Sequence, residues 1–327
     1  MGAAAGFMLH LSLLLTALLT FAPYSPVAIP LIEWFADNQL FRLCLFFSTV
    51  LLLLHYLSVK SRGWLVLPSL LFVILVSEIV RFVPFFGNEH NGKSSDRLKI
   101  LTFNVRFFFP DYFLNTLKWN EIDIACFQEV IPRDIPGTLL RHDSGWKKNY
   151  FGWYGATDPD GEDGILVVSR KSLELVEKVV CPSFRDPERY LYILKTTVKG
   201  LNVYVVAVHL EPVNLQDGFR SAIGSWHARL AQARLVSKAA RKYEAPVLVI
   251  GDFNSTPTDR VARVMMRDFK DAGRIAGRLF APTWHQDAPM FRIDYILYRG
   301  LQTAADTRIF RLGRSDHLVY CVDLYKQ

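Results

Sequence analysis

The stretch Val247–Pro257, which reads Val-Leu-Val-Ile-Gly-Asp-Phe-Asn-Ser-Thr-Pro, decides the fold of this chain. Its leading aliphatic residues are typical of a short strand buried on both faces of a sheet. Gly251 is expected to end that strand, and Asp252 and Asn254 follow it. Because alternate residues of an extended backbone point to the same side, these two polar side chains are predicted to face one place. Taken alone, the stretch also fits an Asp/Asn turn in which Pro257 marks a loop.

Residues 1–95 contain three long apolar runs, Phe7–Ala22, Leu43–Val59 and Trp64–Phe86. Each is close to the roughly 17–25 residues with which a helix crosses the hydrocarbon core of a bilayer. We therefore predict a membrane segment over residues 1–95, with three transmembrane helices and a polar linker, and a separate domain over residues 96–327.

The charges between the apolar runs predict the orientation of this segment. Lys60 and Arg62 lie between the second and third runs, whereas Glu33 and Asp37 lie between the first and second. Loops rich in Lys and Arg stay on the cytoplasmic side of a membrane. The third run then exits the membrane, and residues 96–327 are expected on the extracytoplasmic side.

Charge and cysteine content argue against a nucleic-acid-binding tail and against a cysteine-based metal cluster. The 327 residues carry a formal net charge of +7 without the Lys/Arg block that marks a nucleic-acid-binding tail. Cys126 and Cys321 lie in strand-like apolar contexts and are predicted to be buried, whereas Cys181, directly before Pro182, is predicted to be exposed. The cysteine spacing indicates no metal cluster and allows at most one disulfide in the exported domain.

The domain reads as many short strands with few helices, which favours a two-sheet α/β sandwich. A helix is expected from about Ser225 to Arg241, and another over Phe113–Glu121. The predicted strands are Leu98–Val105, Asp123–Val130, Gly164–Ser169, Leu191–Thr197, Leu201–Leu210, Val247–Ile250, Arg292–Tyr298 and Leu318–Leu324. The segment Glu211–His227 is either a substrate-contacting loop or an ordinary covering loop.

Eight polar residues fall at or next to the ends of these strands. They are Asn104, Glu129, His209, Asp252, Asn254, Asp294, Asp316 and His317. Carboxylate and amide oxygens suit a hard cation such as Mg²⁺, and imidazoles suit an anionic oxygen or a proton transfer. Without a candidate Ser or Cys nucleophile, this set predicts metal-assisted attack by water on a substrate. The chain has no P-loop, His-Glu-x-x-His or Gly-x-Ser-x-Gly motif.

The order of the motifs resembles the endonuclease/exonuclease/phosphatase superfamily, which includes deoxyribonuclease I, abasic-site endonucleases, inositol polyphosphate 5-phosphatases and neutral sphingomyelinases. The resemblance runs from about Leu98 to Leu324. Its carriers are Thr-Phe-Asn-Val at 102–105, Phe-Gln-Glu-Val at 127–130, Gly-Ile-Leu-Val-Val-Ser-Arg at 164–170, Val-His-Leu at 208–210, Gly-Asp-Phe-Asn-Ser-Thr-Pro at 251–257, Arg-Ile-Asp-Tyr-Ile at 292–296 and Ser-Asp-His at 315–317.

The resemblance implies a role for each polar residue. Glu129 is implied as the principal ligand of Mg²⁺, or of Mn²⁺, with Asn104 and Asp316 helping to hold the metal or its waters. Asp252 would orient or deprotonate the attacking water, and Asn254 would hold a phosphate oxygen. His209 and His317 would stabilise the charge on the phosphoryl group, with Asp294 orienting His317.

The resemblance also implies a four-layer α/β/β/α sandwich, here preceded by the three predicted transmembrane helices. This combination resembles a bacterial group of membrane-anchored members. The expected substrate is a phosphoester, either a phospholipid head group, a nucleic acid or a small phosphoester, and the lipid bilayer is an expected partner. His209 stands where abasic-site endonucleases have tyrosine, which argues against that specialisation.

Two other functions stay open. Deoxyribonuclease-like members also carry histidine at the His209 position, so an endonuclease is one alternative. A tethered binding module without catalysis is the other. The aromatic triplet Phe107–Phe109 either contacts a lipid or a base, or packs in the core or in an interface.

Overall fold

The computed structural model describes residue 50 and residues 97–326, apart from 108–120, 132–151, 157–163, 185–188, 215–217, 245, 277–280, 288, 290 and 303–306. No helix among these described residues is long and apolar enough to cross a membrane. The three predicted transmembrane runs lie outside the described residues, except for Val50, and so does nearly all of the helix expected over Phe113–Glu121.

Within the described residues, the strands form two six-stranded mixed sheets. In chain order they are β1 (Arg97–Asn104), β2 (Ile124–Val130), β3 (Gly152–Ala156), β4 (Gly164–Ser169), β5 (Glu174–Cys181), β6 (Arg189–Val198), β7 (Leu201–His209), β8 (Val247–Asp252), β9 (Lys270–Asp271), β10 (Asp294–Arg299), β11 (Thr307–Phe310) and β12 (Val319–Tyr325). The first sheet has the order β11-β12-β1-β2-β4-β3 and the second has the order β5-β6-β7-β8-β10-β9. The pairs β1–β2 and β7–β8 are parallel, and the other neighbouring strands are antiparallel.

The described helices are α1 (Phe219–Ala240), α2 (Arg260–Met266) and α3 (Ala272–Ile275). Helix α1 begins directly after Gly218, whose φ of 68° turns the chain into the helix, and so it starts well before the predicted Ser225. Trp226 is therefore a buried residue of α1. The prediction of a loop over all of Glu211–His227 is wrong, since its second half is helical.

The sandwich is held by the apolar side chains between its sheets and by a second apolar layer beneath α1. Ile100 and Cys126 of the first sheet pack in one cluster with Leu248 and Ile250 of the second. On the opposite face of the second sheet, Val249 belongs to a cluster that includes residues of α1 and α2. The predicted α/β two-sheet sandwich is thus confirmed, with a helical layer on the second sheet. The fourth layer of the predicted arrangement stays a prediction.

Gly251 has a specific reason to lie in the central strand. Strand β8 continues through Asp252, so the expectation that Gly251 ends the strand is wrong. Gly251 pairs with Val208 of β7 and has a φ of 147°, and a Cβ atom here would lie 1.8 Å from the Val208 carbonyl oxygen. Because Gly251 has no side chain, β7 and β8 can approach each other closely at this position, and β8 continues as far as Asp252.

The described cysteines Cys126, Cys181 and Cys321 are all buried, and none of them forms a disulfide. Burial of Cys126 and Cys321 was predicted and is confirmed. The prediction that Cys181 is exposed is wrong, because Cys181 is the last residue of β5 and packs in the cluster beneath α1. Pro182 ends the strand here without moving Cys181 into solvent.

Candidate active site

The site lies where the inward-facing side chains of both sheets reach the ends of their strands. In β8, Leu248 and Ile250 face the other sheet, and Asp252 follows them with the same alternation. Across the second sheet, Asp252 is paired with His209 of β7 and with Asp294 of β10. In the first sheet, Asn104 ends β1 on the same inward face as Ile100. Strand register alone thus brings these four predicted residues together.

Glu129 enters the site by a departure from regular strand geometry. Its neighbours Cys126 and Gln128 face the inside of the sandwich, so regular alternation would point Glu129 outward. The register of β2 against β4 shifts between Phe127 and Val130, and Glu129 has a φ of 54°. A non-glycine residue held in this left-handed region indicates a backbone conformation imposed by the surrounding structure, often at a functional site.

The Asn104 side chain connects the two sheets. Its Nδ2 atom donates to Glu129 Oε1 at 2.8 Å and to Asp252 Oδ2 at 3.1 Å. Its Oδ1 atom accepts the backbone N–H of Arg106 at 3.0 Å. The Asn104 carbonyl also accepts a hydrogen bond of 2.6 Å from the Ser315 hydroxyl. Asn104 is therefore fixed on both its side chain and its backbone, with two carboxylates against its amide.

Both predicted histidines point their Nε2 atoms at the Asp252 carboxylate. His209 Nε2 lies 3.8 Å from Asp252 Oδ2 and 3.8 Å from Glu129 Oε1. His317 Nε2 lies 3.7 Å from Asp252 Oδ2. These separations are too long for direct hydrogen bonds, so the nitrogens flank Asp252 at a distance that leaves room for a small ligand or a water to intervene.

His317 is oriented by Asp294, as the resemblance implied. Its Nδ1 atom lies 2.9 Å from Asp294 Oδ2, and both side chains are buried. The Asp294 backbone N–H donates to Thr283 Oγ1 at 3.2 Å, which fixes the start of β10. The ring of His317 can therefore present only Nε2 to the Asp252 side of the site.

Burial and charge give these groups unusual acidities. Burial raises the pKa of Asp252, the nearby Asp294 carboxylate raises it further, and the two histidines act in the opposite direction. Burial lowers the pKa of His317, but the Asp294 and Asp252 carboxylates outweigh that effect and raise this pKa to about 10. At neutral pH, His317 is therefore a cation, held beside the Asp294 and Asp252 side chains.

Asn254 supports the Asp252 loop. Its backbone N–H donates to Asp252 Oδ1 at 2.7 Å, and its Nδ2 atom donates to the Leu210 carbonyl at 2.9 Å. Its φ of 48° folds the chain back so that both contacts form. In this conformation Asn254 holds Asp252 and the end of β7, and its predicted contact with a phosphate oxygen stays a prediction.

Asp316 is held by two residues that the sequence patterns did not indicate. Asp316 Oδ2 accepts a 3.0 Å hydrogen bond from Trp284 Nε1 and lies 3.3 Å from Arg106 Nη1. Arg106 comes two residues after the predicted Asn104, and its side chain is 56% exposed. A cation two residues after a strand-end site residue is a signal that the sequence contains. The position of Trp284, in contrast, depends on the pairing of its segment with Phe291 and His317.

Oxygen ligands for a divalent cation are present in two neighbouring places. Among the described residues, the ligand atoms of Asp252, Asp294 and His317 all lie within 4.8 Å of one another and are buried. In that set, however, Asp294 Oδ2 is already bonded to His317 Nδ1. Glu129 and Asp316 are the more accessible acids, with side chains 21% and 17% exposed. Carboxylate oxygens that solvent can reach are the ligands that Mg²⁺ prefers, so the donor set fits a hard cation beside Glu129.

Phe107 does not pack into the core. It is 47% exposed and has a φ of 60° directly after Arg106, so core packing is wrong for this residue. Phe108 and Phe109 lie outside the described residues. All eight predicted site residues lie within the described part. The hydrogen bonds of Asn104 to Glu129 and to Asp252 join the site residues of the first sheet to those of the second.

The chain belongs to the Endonuclease/Exonuclease/phosphatase family, whose model matches residues 101–317. It is accordingly a metal-dependent phosphoric ester hydrolase of the nuclease or phosphodiesterase type. The matched range includes every predicted site residue from Asn104 to His317.

Solved structures share the fold of this chain. The structure of truncated Caenorhabditis elegans TDP2 is similar at 20% identity and a TM-score of 0.54, over 70% of this chain and 97% of that one. An endonuclease/exonuclease/phosphatase from Bacteroides vulgatus is similar at 20% identity and a TM-score of 0.54, over 71% and 99%. Humanized D. rerio TDP2 is similar at 20% identity and a TM-score of 0.55, over 71% and 100%. No curated protein sequence matches this chain.

Proposed function

We propose that this protein is a membrane-anchored, Mg²⁺- or Mn²⁺-dependent phosphohydrolase that cleaves a phosphoester outside the cytoplasm. The observation that carries the catalytic part is the contact of Asn104 with both Glu129 and Asp252, which joins the accessible acid of one sheet to the buried acid of the other. The two histidines flank the same Asp252 oxygen.

Asp252 is proposed to orient the attacking water and to accept its proton. Its carboxylate is buried, and its Oδ1 atom is fixed by the Asn254 backbone N–H, which leaves Oδ2 facing both histidines. The raised pKa makes this carboxylate a stronger base than an exposed aspartate. Asn254 then serves first as a positioning residue for Asp252.

His317 and His209 are proposed to donate hydrogen bonds to the phosphoryl oxygens as negative charge builds on them. His317 is suited to this role because Asp294 holds its ring and keeps it protonated, so no reorganisation accompanies the reaction. No covalent intermediate with the enzyme is involved in this scheme.

Glu129 is proposed to hold the divalent cation, with Asn104 and Asp316 beside it. When bound, Mg²⁺ or Mn²⁺ supplies Lewis-acid polarisation of the phosphoryl group and offsets its charge. Arg106, which lies 3.3 Å from Asp316, adds a partly exposed cation at the same edge. Its guanidinium suits a phosphate oxygen of the substrate.

The membrane part of the proposal rests on the apolar runs of residues 1–95 and on Lys60 and Arg62. Tethering raises the effective concentration of the domain at a bilayer surface, which favours a phospholipid head group or a small phosphoester over duplex DNA. A reporter fused after Gln327 tests the orientation. Activity of a periplasmic-type reporter is expected, and activity only of a cytoplasmic reporter would overturn the proposed location.

The catalytic proposal is tested with the full-length chain purified in a neutral detergent. Phospholipids, inositol phosphates, RNA and plasmid DNA are offered with Mg²⁺, with Mn²⁺ and with excess EDTA. We expect turnover of a phospholipid or small phosphoester that stops in EDTA and returns with added metal. Efficient plasmid cleavage that falls steeply with salt, with the other substrates untouched, would instead select the endonuclease alternative. Binding of substrates without turnover of any would select the binding module.

A further inference from the structure

A basic cleft of about 470 Å³ lies at the end of the sandwich opposite the active site. Its basic side chains are Arg97, Lys99, Arg170, Lys171 and Lys199. They stand at the start of β1, directly after β4 and in the turn between β6 and β7. Because β1 runs from this cleft to Asn104, Lys99 and Asn104 are separated by roughly 16 Å along that strand.

The cleft is built around one buried carboxylate. Asp123, which is only 1% exposed, accepts the Lys99 backbone N–H at 2.9 Å and forms ion pairs with Arg170 Nε at 3.2 Å and Lys199 Nζ at 2.9 Å. The Arg170 Nε atom also donates to the Ile122 carbonyl at 2.8 Å. These contacts hold the Lys199 ammonium and the Nε atom of the Arg170 guanidinium, and the two side chains remain 34% and 27% exposed. The cations are therefore held in place before any ligand arrives.

Among the described residues that line the cleft, basic side chains outnumber acidic ones. Glu121 lies 2.6 Å from Lys99 Nζ, and it and Asp123 are the acidic residues of the lining, against five basic ones. Arg97 has Asp323 as a partner at 3.1 Å, but the Arg97 side chain is still 36% exposed. The remaining positive charge, on guanidinium and ammonium groups that reach solvent, matches an anion with several acceptor oxygens.

We propose that this cleft is a second, non-catalytic binding site for a phosphate-bearing anion. Its volume falls in the range of small-molecule sites, which is about 300–1,000 Å³. Arg97 is the first residue of β1, so the cleft lies where the chain enters the domain from residues 1–96. A phospholipid head group and a soluble phosphate share the required chemistry, and the test distinguishes them. Binding here does not depend on catalysis.

The test measures binding by calorimetry with the full-length chain in neutral detergent and EDTA, in a His317→Ala background that weakens the active site. The probes are inorganic phosphate and dihexanoyl phosphatidylglycerol, with dihexanoyl phosphatidylcholine as the zwitterionic control. Lys171→Glu is the test variant because Lys171 is an exposed residue of the lining, and Lys270→Glu is the matched control because Lys270 is exposed in β9, outside the lining. Lys171→Glu is expected to weaken binding by about tenfold, and Lys270→Glu to leave it unchanged.

Each outcome decides the proposal. Loss of phosphatidylglycerol binding alone assigns the cleft to a lipid head group, and loss of phosphate binding assigns it to a soluble anion. Lys171→Arg is expected to keep the affinity, and Lys171→Met provides the charge removal if Lys171→Glu does not fold. Absence of binding by both probes, or equal effects of the Lys171 and Lys270 substitutions, overturns the proposal. Hydrolysis of a soluble substrate by Lys171→Glu should match that of the unchanged chain, which separates this test from the test of catalysis.

Discussion

His317 Nδ1 lies 2.9 Å from Asp294 Oδ2, inside a site where neither side chain has more than slight contact with solvent. The pair joins the start of β10 to the segment before β12, and it leaves His317 Nε2 directed at Asp252, 3.7 Å away. One buried carboxylate thus sets both the orientation and the charge of the imidazole. A dependence of catalysis on Asp294 follows, although Asp294 itself need not touch the substrate.

Asp294→Asn should lower kcat by about a hundredfold or more, because an amide neither stabilises the imidazolium nor holds its Nδ1–H in the same way. The pKa of His317 should fall from its raised value, since the largest carboxylate contribution is lost. Steady-state kinetics over a pH series and the chemical shifts of the histidine ring measure the two effects. Asp268→Asn, in a surface pair with Arg241, is the control. A kcat within a factor of about two of the unchanged enzyme would contradict this positioning role.

Asp271→Asn should destabilise the fold by about 3–5 kcal/mol, because it leaves the buried Arg292 guanidinium without its counter-charge. Arg292 donates to both Asp271 carboxylate oxygens and lies against the rings of Tyr295 and Tyr320. Urea unfolding followed by tryptophan fluorescence measures the change in the free energy of unfolding. The surface substitution Asp268→Asn should cost less than about 1 kcal/mol. Equal losses in the free energy of unfolding for the two substitutions would show that the buried pair contributes no more to stability than the surface pair.

The cysteines of the domain should resist thiol reagents in the folded state. Burial raises the pKa of Cys126 to about 12 and that of Cys181 to about 11, so almost no thiolate forms at pH 8. In a Cys44→Ser chain, labelling by a chromogenic disulfide should be slow in native buffer and complete in urea. Fast native labelling of Cys181 would contradict its placement at the end of β5.

Much of the site could be predicted because strand alternation and strand ends are local properties of the sequence. Asp252, His209, Asp294 and Asn104 each end or begin a strand on its inward face, so recognising the strands was enough to group them. Glu129 was grouped with them because it lies at the end of a predicted strand, but its entry into the site depends on a register shift in β2 that alternation does not predict.

The parts that sequence reasoning missed depend on tertiary contacts. The edge strand β5 has no clean alternation of buried and exposed residues, and its burial of Cys181 is decided by the helix above it. Helix α1 begins at Phe219 because Gly218 turns the chain there, not because an apolar pattern starts. The Trp284–Asp316 hydrogen bond joins segments 32 residues apart and leaves no local signal.

The most direct test of the account is a metal titration of Glu129→Gln on whichever phosphoester the full-length enzyme turns over. Glutamine keeps the shape of the side chain, so the chain should melt within a few degrees of the unchanged protein, while removal of the charge weakens the hold on Mg²⁺. Turnover at saturating Mg²⁺ should fall by about a hundredfold, and the metal concentration for half-maximal rate should rise. Glu177→Gln, which removes a surface partner of Lys242, should change neither quantity. Full activity of Glu129→Gln, or of the unchanged enzyme in excess EDTA, would contradict the central claim that catalysis depends on a cation held at Glu129.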